Sequence, residues 1–275
     1  MTDLKESPLG HSTTWASAYD PQLLFPVERA PQRRELGIGD ALPFRGVDVW
    51  NAYEVSWQDA RGKPEVAIAT FVVTAESPRI VESKSVKLYL TALNMTRFAS
   101  RDAVTDTLAR DLSAATGSRV GVTLTAPEGF AALPHAEPAG ECLDAQPLAG
   151  DGDDGAPVPG VLVARGAIVA ETLFTRLFRS VCPVTGQPDY ASVEIRYSGA
   201  RIDRAGLLRY LVSFRRHAGF HEHCAERIFV DIRQRCAPSA LAVHARFTRR
   251  GGIDINPWRT SGPEPAPINA RTARQ

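Results

Sequence analysis

The chain has 275 residues, 44% of them hydrophobic and 23% charged. That is enough apolar material for one large domain or two of about 100–150 residues, and it excludes a disordered or disulfide-stapled chain. With 32 Lys and Arg against 31 Asp and Glu the formal charge is +1. There is no global field to draw the protein onto nucleic acid or anionic lipid, so a small molecule is the expected partner. The opening MTDLKESPLGHS is polar, which argues against a secretory signal. The most apolar window, Val161 to Phe174, is broken by Arg165 and Glu171 and is too short to cross a bilayer. Cys142, Cys182, Cys224 and Cys236 read as reduced thiols, and the expected location is cytoplasmic.

In chain order, the first strand signal is at residues 66–73, where nearly every position is apolar or β-branched, the pattern of a strand buried on both faces. The segment ESKSVKLYLTALN follows. Val104, Leu108 and Leu112 then recur at helical spacing and predict a helix over 102–115. RVGVTLT predicts a strand with Val120, Val122 and Leu124 on one side. From Pro134 to Gly160 the chain is rich in Pro, Gly and Asp without periodicity and reads as a linker. Its DGDDG run is not an EF-hand, because Leu162 stands where the bidentate Glu is required; it reads as a solvated loop. SVEIRY predicts a strand, LLRYLVSF follows, and Cys224, Ile228, Ile232 and Cys236 form one stripe of a helix over about 223–235. LAVHARF, with Leu241, Val243, Ala245 and Phe247 on one face, reads as the closing strand.

The two halves therefore repeat one order of elements. LYL at 88–90 and RYL at 209–211 are 121 apart, and so are Val122 and Val243. Two anchors with one offset argue for a duplicated α+β module of antiparallel strands backed by helices. The expected division is residues 1–140, a linker over 141–160, and residues 161–275. Short open sheets leave edges to be covered, so association is expected.

Phosphate-loop motifs are missing. Gly37-Ile38-Gly39 begins like a dinucleotide fingerprint, but Leu42 and Pro43 stand where it should continue into a helix. Three clusters carry chemistry instead. In RSVCPVTGQPDY, a Pro/Gly-punctuated loop lets Cys182 and Asp189 approach each other, as a thiol nucleophile and a proton-exchanging carboxylate would; a buried structural cysteine beside a turn aspartate explains the same residues. RRHAGFHEHC offers His217, His221, His223 and Cys224 as zinc ligands, or Glu222 as a two-oxygen acceptor for neighbouring N–H donors, or simply a polar helix start. Lys84 and Lys87 share a helix face and, with Arg249, Arg250 and the close-approach glycines Gly251 and Gly252, form a candidate phosphate clamp; a solvated lysine pair is the plain alternative.

Taken together, ESKSVKLYL, SVCPVTGQPD, FHEHC and TRRGGIDINPWR resemble the long, two-module form of the NADPH-dependent 7-cyano-7-deazaguanine reductases, nitrile reductases of queuosine biosynthesis. The likeness runs from LGHSTTWASAYDPQLL to the C-terminal WR. It implies two tandem tunnelling-fold modules. It also implies that Cys182 forms a covalent thioimide with the nitrile and that Asp189 donates protons. His221 and Glu222 would hold the deazaguanine ring, with Val81, Glu82 and Ser83 completing the pocket. Ser83, Lys84, Arg250 and Gly251 would contact NADPH, and no metal is implied. Thiolate addition turns a poor acceptor into a C=N species that two successive reductions carry to the amine.

Only the first copy carries the lysine pair and only the second carries the Cys-Pro loop. One complete site per chain, at the junction of the modules of a homodimer, is the resulting expectation. The alternatives are a zinc-dependent pterin-type hydrolase using His217, His221 and Cys224, and a non-catalytic purine-binding module. Arg259, Arg271 and Arg274 read as a frayed basic tail, with no claim on tRNA.

Overall fold

The computed structural model describes residues 18–148 and 155–275. Its strands are β1 (Pro26–Glu28), β2 (Arg45–Gln58), β3 (Pro64–Thr74), β4 (Arg79–Val81), β5 (Gly121–Thr125), β6 (Glu141–Cys142), β7 (Ala164–Val181), β8 (Pro188–Ile202), β9 (Ala240–Phe247) and β10 (Ile253–Thr260). The helices are α1 (Ala30–Glu35), α2 (Ser83–Leu93), α3 (Arg101–Thr116), α4 (Arg204–Val212) and α5 (His221–Cys236). Eight strands form one sheet in the order β5-β3-β2-β10-β9-β8-β7-β6, antiparallel except where β6 meets β7; β1 and β4 make a separate pair. The mixed α+β class and the tandem tunnelling-fold architecture are as expected.

The repeat is visible in the elements. Both α3 and α5 have 16 residues, and their first residues are 221 − 101 = 120 apart. Glu82 caps α2 and Asp203 caps α4, 203 − 82 = 121 apart. A buried tyrosine of the first helix donates to an aspartate of the second in each copy: Tyr89 to Asp111 at 2.7 Å, and Tyr210 to Asp231 at 2.6 Å. Such a neutral–charged hydrogen bond locks the helix pair without leaving an unpaired polar group.

Each copy has its own core. One gathers Trp50, Phe71, Tyr89, Leu93 and Leu108 under α2 and α3; the other gathers Phe178, Tyr197, Tyr210, Phe214 and Phe229 under α4 and α5. They are joined through the sheet. β10 pairs with β2 from Ile253↔Ala52 to Thr260↔Arg45, and its Ile253 and Ile255 pack into the core of the first copy. The last strand of the second copy thus completes the first.

Several expectations are corrected. β3 is not buried on both faces: Ala67, Ala69 and Phe71 are buried, but Val66 is 49% exposed, because helices cover one side of the sheet only. LAVHARF does not close the fold; β10 does. The Pro134–Gly160 stretch is not wholly solvated, since β6 pairs with Leu173 and Phe174 and Leu143 is completely buried behind it; the DGDDG run falls largely outside the described residues. The basic tail is docked rather than frayed. Arg259 lies inside β10 at 0% exposure because Asp48 and Glu226 pair with it. Arg271 bonds Pro134 through its backbone, and the Gln275 amide donates to Phe247 O and Asn256 Oδ1.

Candidate active site

The thiol is placed by a hairpin. Between β7 and β8, Cys182 N donates to Gln187 O at 2.8 Å and Gly186 N to Cys182 O at 3.0 Å. Gly186 takes φ +69°, a left-handed conformation that glycine adopts without strain. Cys182 is 8% exposed. Burial pushes its pKa up, but hydrogen bonds from the Thr185 side chain, from Arg250 and from the Thr185 and Val184 backbone outweigh it and hold the thiol below the usual cysteine value. A thiol held below its usual value is a candidate nucleophile. Cys224 and Cys236 are the contrast: burial pushes Cys224 up to about 12 and Cys236 to about 11.

Asp189, the second residue of β8, is buried between two cationic or potentially cationic groups: Arg250 Nη1 at 3.3 Å and His221 Nε2 at 3.4 Å. The His221 ring stacks on Phe247 with centroids 3.8 Å apart, and its Nδ1 is buried without a partner. His221 and Glu222 open α5, where unsatisfied backbone N–H groups favour negative charge. Glu222 is 3% exposed, and its Oε1 has no hydrogen-bond partner. Burial and then the Asp48 charge raise its pKa, against the lowering pull of Arg29 and Arg259, to about 7. A buried carboxyl oxygen whose lone pairs have no partner is an acceptor waiting for a donor.

The first copy supplies the opposite wall. Val81 ends β4, and Glu82 caps α2 by accepting from Lys84 N and Ser85 N, both at 2.8 Å. Burial raises the Glu82 pKa. Cys182, Asp189, His221, Glu222 and Arg250 of the second copy meet Val81, Glu82 and Ser83 of the first around one cleft. Trp50, Pro183, Gly219, Phe220 and Ile255 also line it. Sequence reading did not single out those five. Phe220, just before His221, had a local signal; Trp50 and Ile255 reach the cleft through the β2–β10 pairing, which leaves none.

The anion clamp is assembled in part. Gly251 and Gly252 take φ +61° and +78°, and a side chain at Gly251 would stand 3.1 Å from the Lys87 stem. Burial, then the Arg250 charge, lowers the Lys87 pKa, while Glu82, Asp189 and Cys182 act in the opposite sense. Lys87 therefore belongs beside the cleft. Lys84 and Gly251 do not line it, and Arg249 leaves the cluster to sit over the Tyr53 ring at 4.5 Å. The zinc arrangement does not assemble: His221 lies against Asp189 and Phe247. Among the described residues no three His, Cys, Asp or Glu side chains converge as a metal ligand set.

These features define an α+β protein with an activated cysteine, a flanking carboxylate and an orphaned acceptor in a cleft between two copies of one module. Residues 15–124 match the family model described as nitrile reductase, 7-cyano-7-deazaguanine-reductase N-term, and residues 188–266 match that of the QueF-like proteins. The NADPH-dependent 7-cyano-7-deazaguanine reductases of Burkholderia ambifaria and Burkholderia multivorans are each 58% identical over 273 residues, covering 98% of this chain and 99% of theirs. The chain belongs to the 7-cyano-7-deazaguanine reductase family. Among solved structures, an archaeosine synthase QueF-like protein in the apo form aligns with 37% of this chain and 99% of its own at 19% identity and a TM-score of 0.32.

Proposed function

We propose that the protein reduces the nitrile of 7-cyano-7-deazaguanine to the primary amine with two NADPH, as a step of queuosine biosynthesis. The observation that carries this is the single cleft in which an activated Cys182 faces an unpartnered buried Glu222 oxygen. Glu222 accepts from the ring N–H and exocyclic amine of the substrate, a two-donor edge that suits a carboxylate. A ligand lacking that edge leaves the buried oxygen unpaired and is rejected. His221 holds the ring beside it, and Val81, Glu82 and Ser83 close the pocket.

The Cys182 thiolate adds to the nitrile carbon. One carbon–sulfur bond forms, one π pair of the C≡N bond moves to nitrogen, and Asp189 delivers the proton that nitrogen takes up. The product is a thioimide with a sulfur leaving group. Each of two NADPH, when bound in turn, would supply one electron pair towards the amine, and the carbon–sulfur bond would break with its pair returning to the Cys182 thiolate. The cationic Lys87 and Arg250 and the close approach of the Gly251 turn to the Lys87 side chain fit an anionic phosphate-bearing partner, and Ser83, Lys84, Arg250 and Gly251 are the residues assigned to hold it. We read the molecule as a cytoplasmic homodimer with a deazapurine substrate and no direct nucleic-acid partner. Its chains divide into modules 1–140 and 161–275 around the 141–160 segment. No described helix is long and apolar enough to cross a membrane.

The test is intact mass spectrometry of the protein with 7-cyano-7-deazaguanine and without NADPH. A gain of one substrate mass per chain is expected, absent in Cys182→Ala and chased to the amine by NADPH. No adduct on the unmodified protein would overturn the assignment.

A further inference from the structure

Glu222 is a wall shared by two cavities. One is the cleft of Cys182 and Asp189; the other lies behind it and is lined by Arg29 and Asp48 among apolar side chains. The rear cavity is backed by ions that the reaction does not use. Arg29, just before α1, pairs with Asp48 of β2. Arg259 of β10 lies 2.8 Å from the other Asp48 oxygen and 2.9 Å from Glu226 of α5, and Arg33 of α1 is 2.7 Å from the same Glu226 oxygen. All five are less than one-tenth exposed, and Arg259 is not exposed at all.

Three guanidiniums face two carboxylates, so 3 − 2 leaves one positive charge buried in this network. An uncompensated charge held out of water is strongly unfavourable. Glu222 can cancel it. It stands one helical turn before Glu226 on the same face of α5, borders the cavity that Arg29 and Asp48 line, and keeps one oxygen free.

We propose that Arg29, Asp48 and Arg259 are positioning residues for substrate recognition: their network is the counter-charge that keeps the Glu222 carboxylate ionised and directed at the two-donor edge of the deazaguanine. This rests on the reading of Glu222 as the substrate's acceptor. Arg29, from before α1, and Arg259 of β10 favour ionisation of Glu222, whereas burial and Asp48 of β2 oppose it. Around the cleft it also meets Glu82, Cys182, Asp189 and Arg250, with His221 and Cys224 on its own helix. Those groups are common to every variant compared below.

The test is calorimetric binding of 7-cyano-7-deazaguanine to full-length Cys182→Ala protein between about pH 5 and 9, which removes the thiol's own titration. In that parent, affinity is expected to rise with pH through about 7 as Glu222 ionises. Adding Asp48→Asn should move the midpoint down and adding Arg29→Gln should move it up, each by about one pH unit or more. Arg29→Lys should leave it in place. Loss of packing cannot produce displacements of opposite sign. Asp48→Asn is isosteric, so its downward displacement decides the sign even if Arg29→Gln does not fold. Coincident midpoints, or displacements in one direction, overturn the proposal. Glu222→Gln binding as tightly as the parent at every pH would instead sink the acceptor reading beneath it. Weak binding by Glu222→Gln with unmoved midpoints elsewhere sinks the network's role alone.

Discussion

Cys182 and Cys224 are both buried, and what separates nucleophile from filler is the company each keeps. The Thr185 hydroxyl and Arg250 hold the first thiol down, while burial, with the Asp189 and Glu222 charges, pushes Cys224 up against the weaker pull of Ser180 and Arg227. Replacing Thr185 by Val should therefore raise the Cys182 pKa. A lowered thiol pKa favours the thiolate at pH values between the shifted and ordinary values, and that advantage is what the variant loses. Adduct formation at neutral pH should slow severalfold and recover as pH rises past the thiol's ordinary range. Stopped-flow or quenched mass measurements of adduct rate against pH would show it, and an unchanged profile would remove Thr185 from the account. The Cys182–Asp189 pair was legible in the sequence because they stand only seven positions apart across a Pro/Gly-punctuated turn. The network behind Glu222 was not: Arg29, Asp48, Glu226 and Arg259 lie up to 230 positions apart (259 − 29), and no local pattern joins them.

The same contrast runs through the elements. The helices α3 and α5 announced themselves by apolar stripes, β3 by a near-continuous apolar and β-branched run, and β9 by alternation. Strands β2 and β10 did not, because many of their buried residues are polar: Asp48 and Asn51 in one, Asp254, Asn256 and Arg259 in the other. Polarity that serves charge pairing erases the pattern by which a strand is read. The repeat also shows where one copy ends its helix less comfortably. After α3 stands Gly117 at φ +74°, but after α5 the same left-handed position holds Ala237 at φ +45°. Ala237→Gly should raise stability by about 0.5–1 kcal/mol, readable as a higher melting temperature. Gly117→Ala should lower it, since its Cβ would lie 2.8 Å from Pro78 and 2.9 Å from Arg79. Near the start of α5 a different effect governs acid stability. Burial, then the Arg227 charge, lowers the pKa of His217 and His223 to about 4 each. A depressed histidine contributes stability above its ordinary value near 6.5, and that contribution is lost as pH falls towards 4. Glu222 acts with the opposite sign, its raised pKa withdrawing stability from the free protein as pH climbs towards about 7. Melting temperature should fall steeply on acidification from about pH 6.5 to 4, and more gently in His223→Gln. Identical acid slopes for the two proteins would place the loss elsewhere.

At the scale of the molecule, duplication without symmetry is the fact to explain. The residues that stand 121 positions on from Glu82, Ser83 and Lys87 are Asp203, Arg204 and Leu208. Asp203 caps its helix as Glu82 does, but Arg204 is tied into ion pairs with Glu141 and Glu171, both at 2.8 Å, and Leu208 is buried. The residues that stand 120 positions before His221 and Glu222 are Arg101 and Asp102, both exposed. Among the described residues, the cleft lined by the start of α2 and the start of α5 brings Cys182, Glu222 and Arg250 together. Adduct formation on the associated protein should therefore saturate at one substrate per chain, two per dimer, in native mass spectrometry. Arg101→His combined with Asp102→Glu should add none, because the thiol and its hairpin have no counterpart beside them. Four adducts per dimer would mean that a second junction, assembled between chains, has recovered the chemistry the duplication is held to have lost.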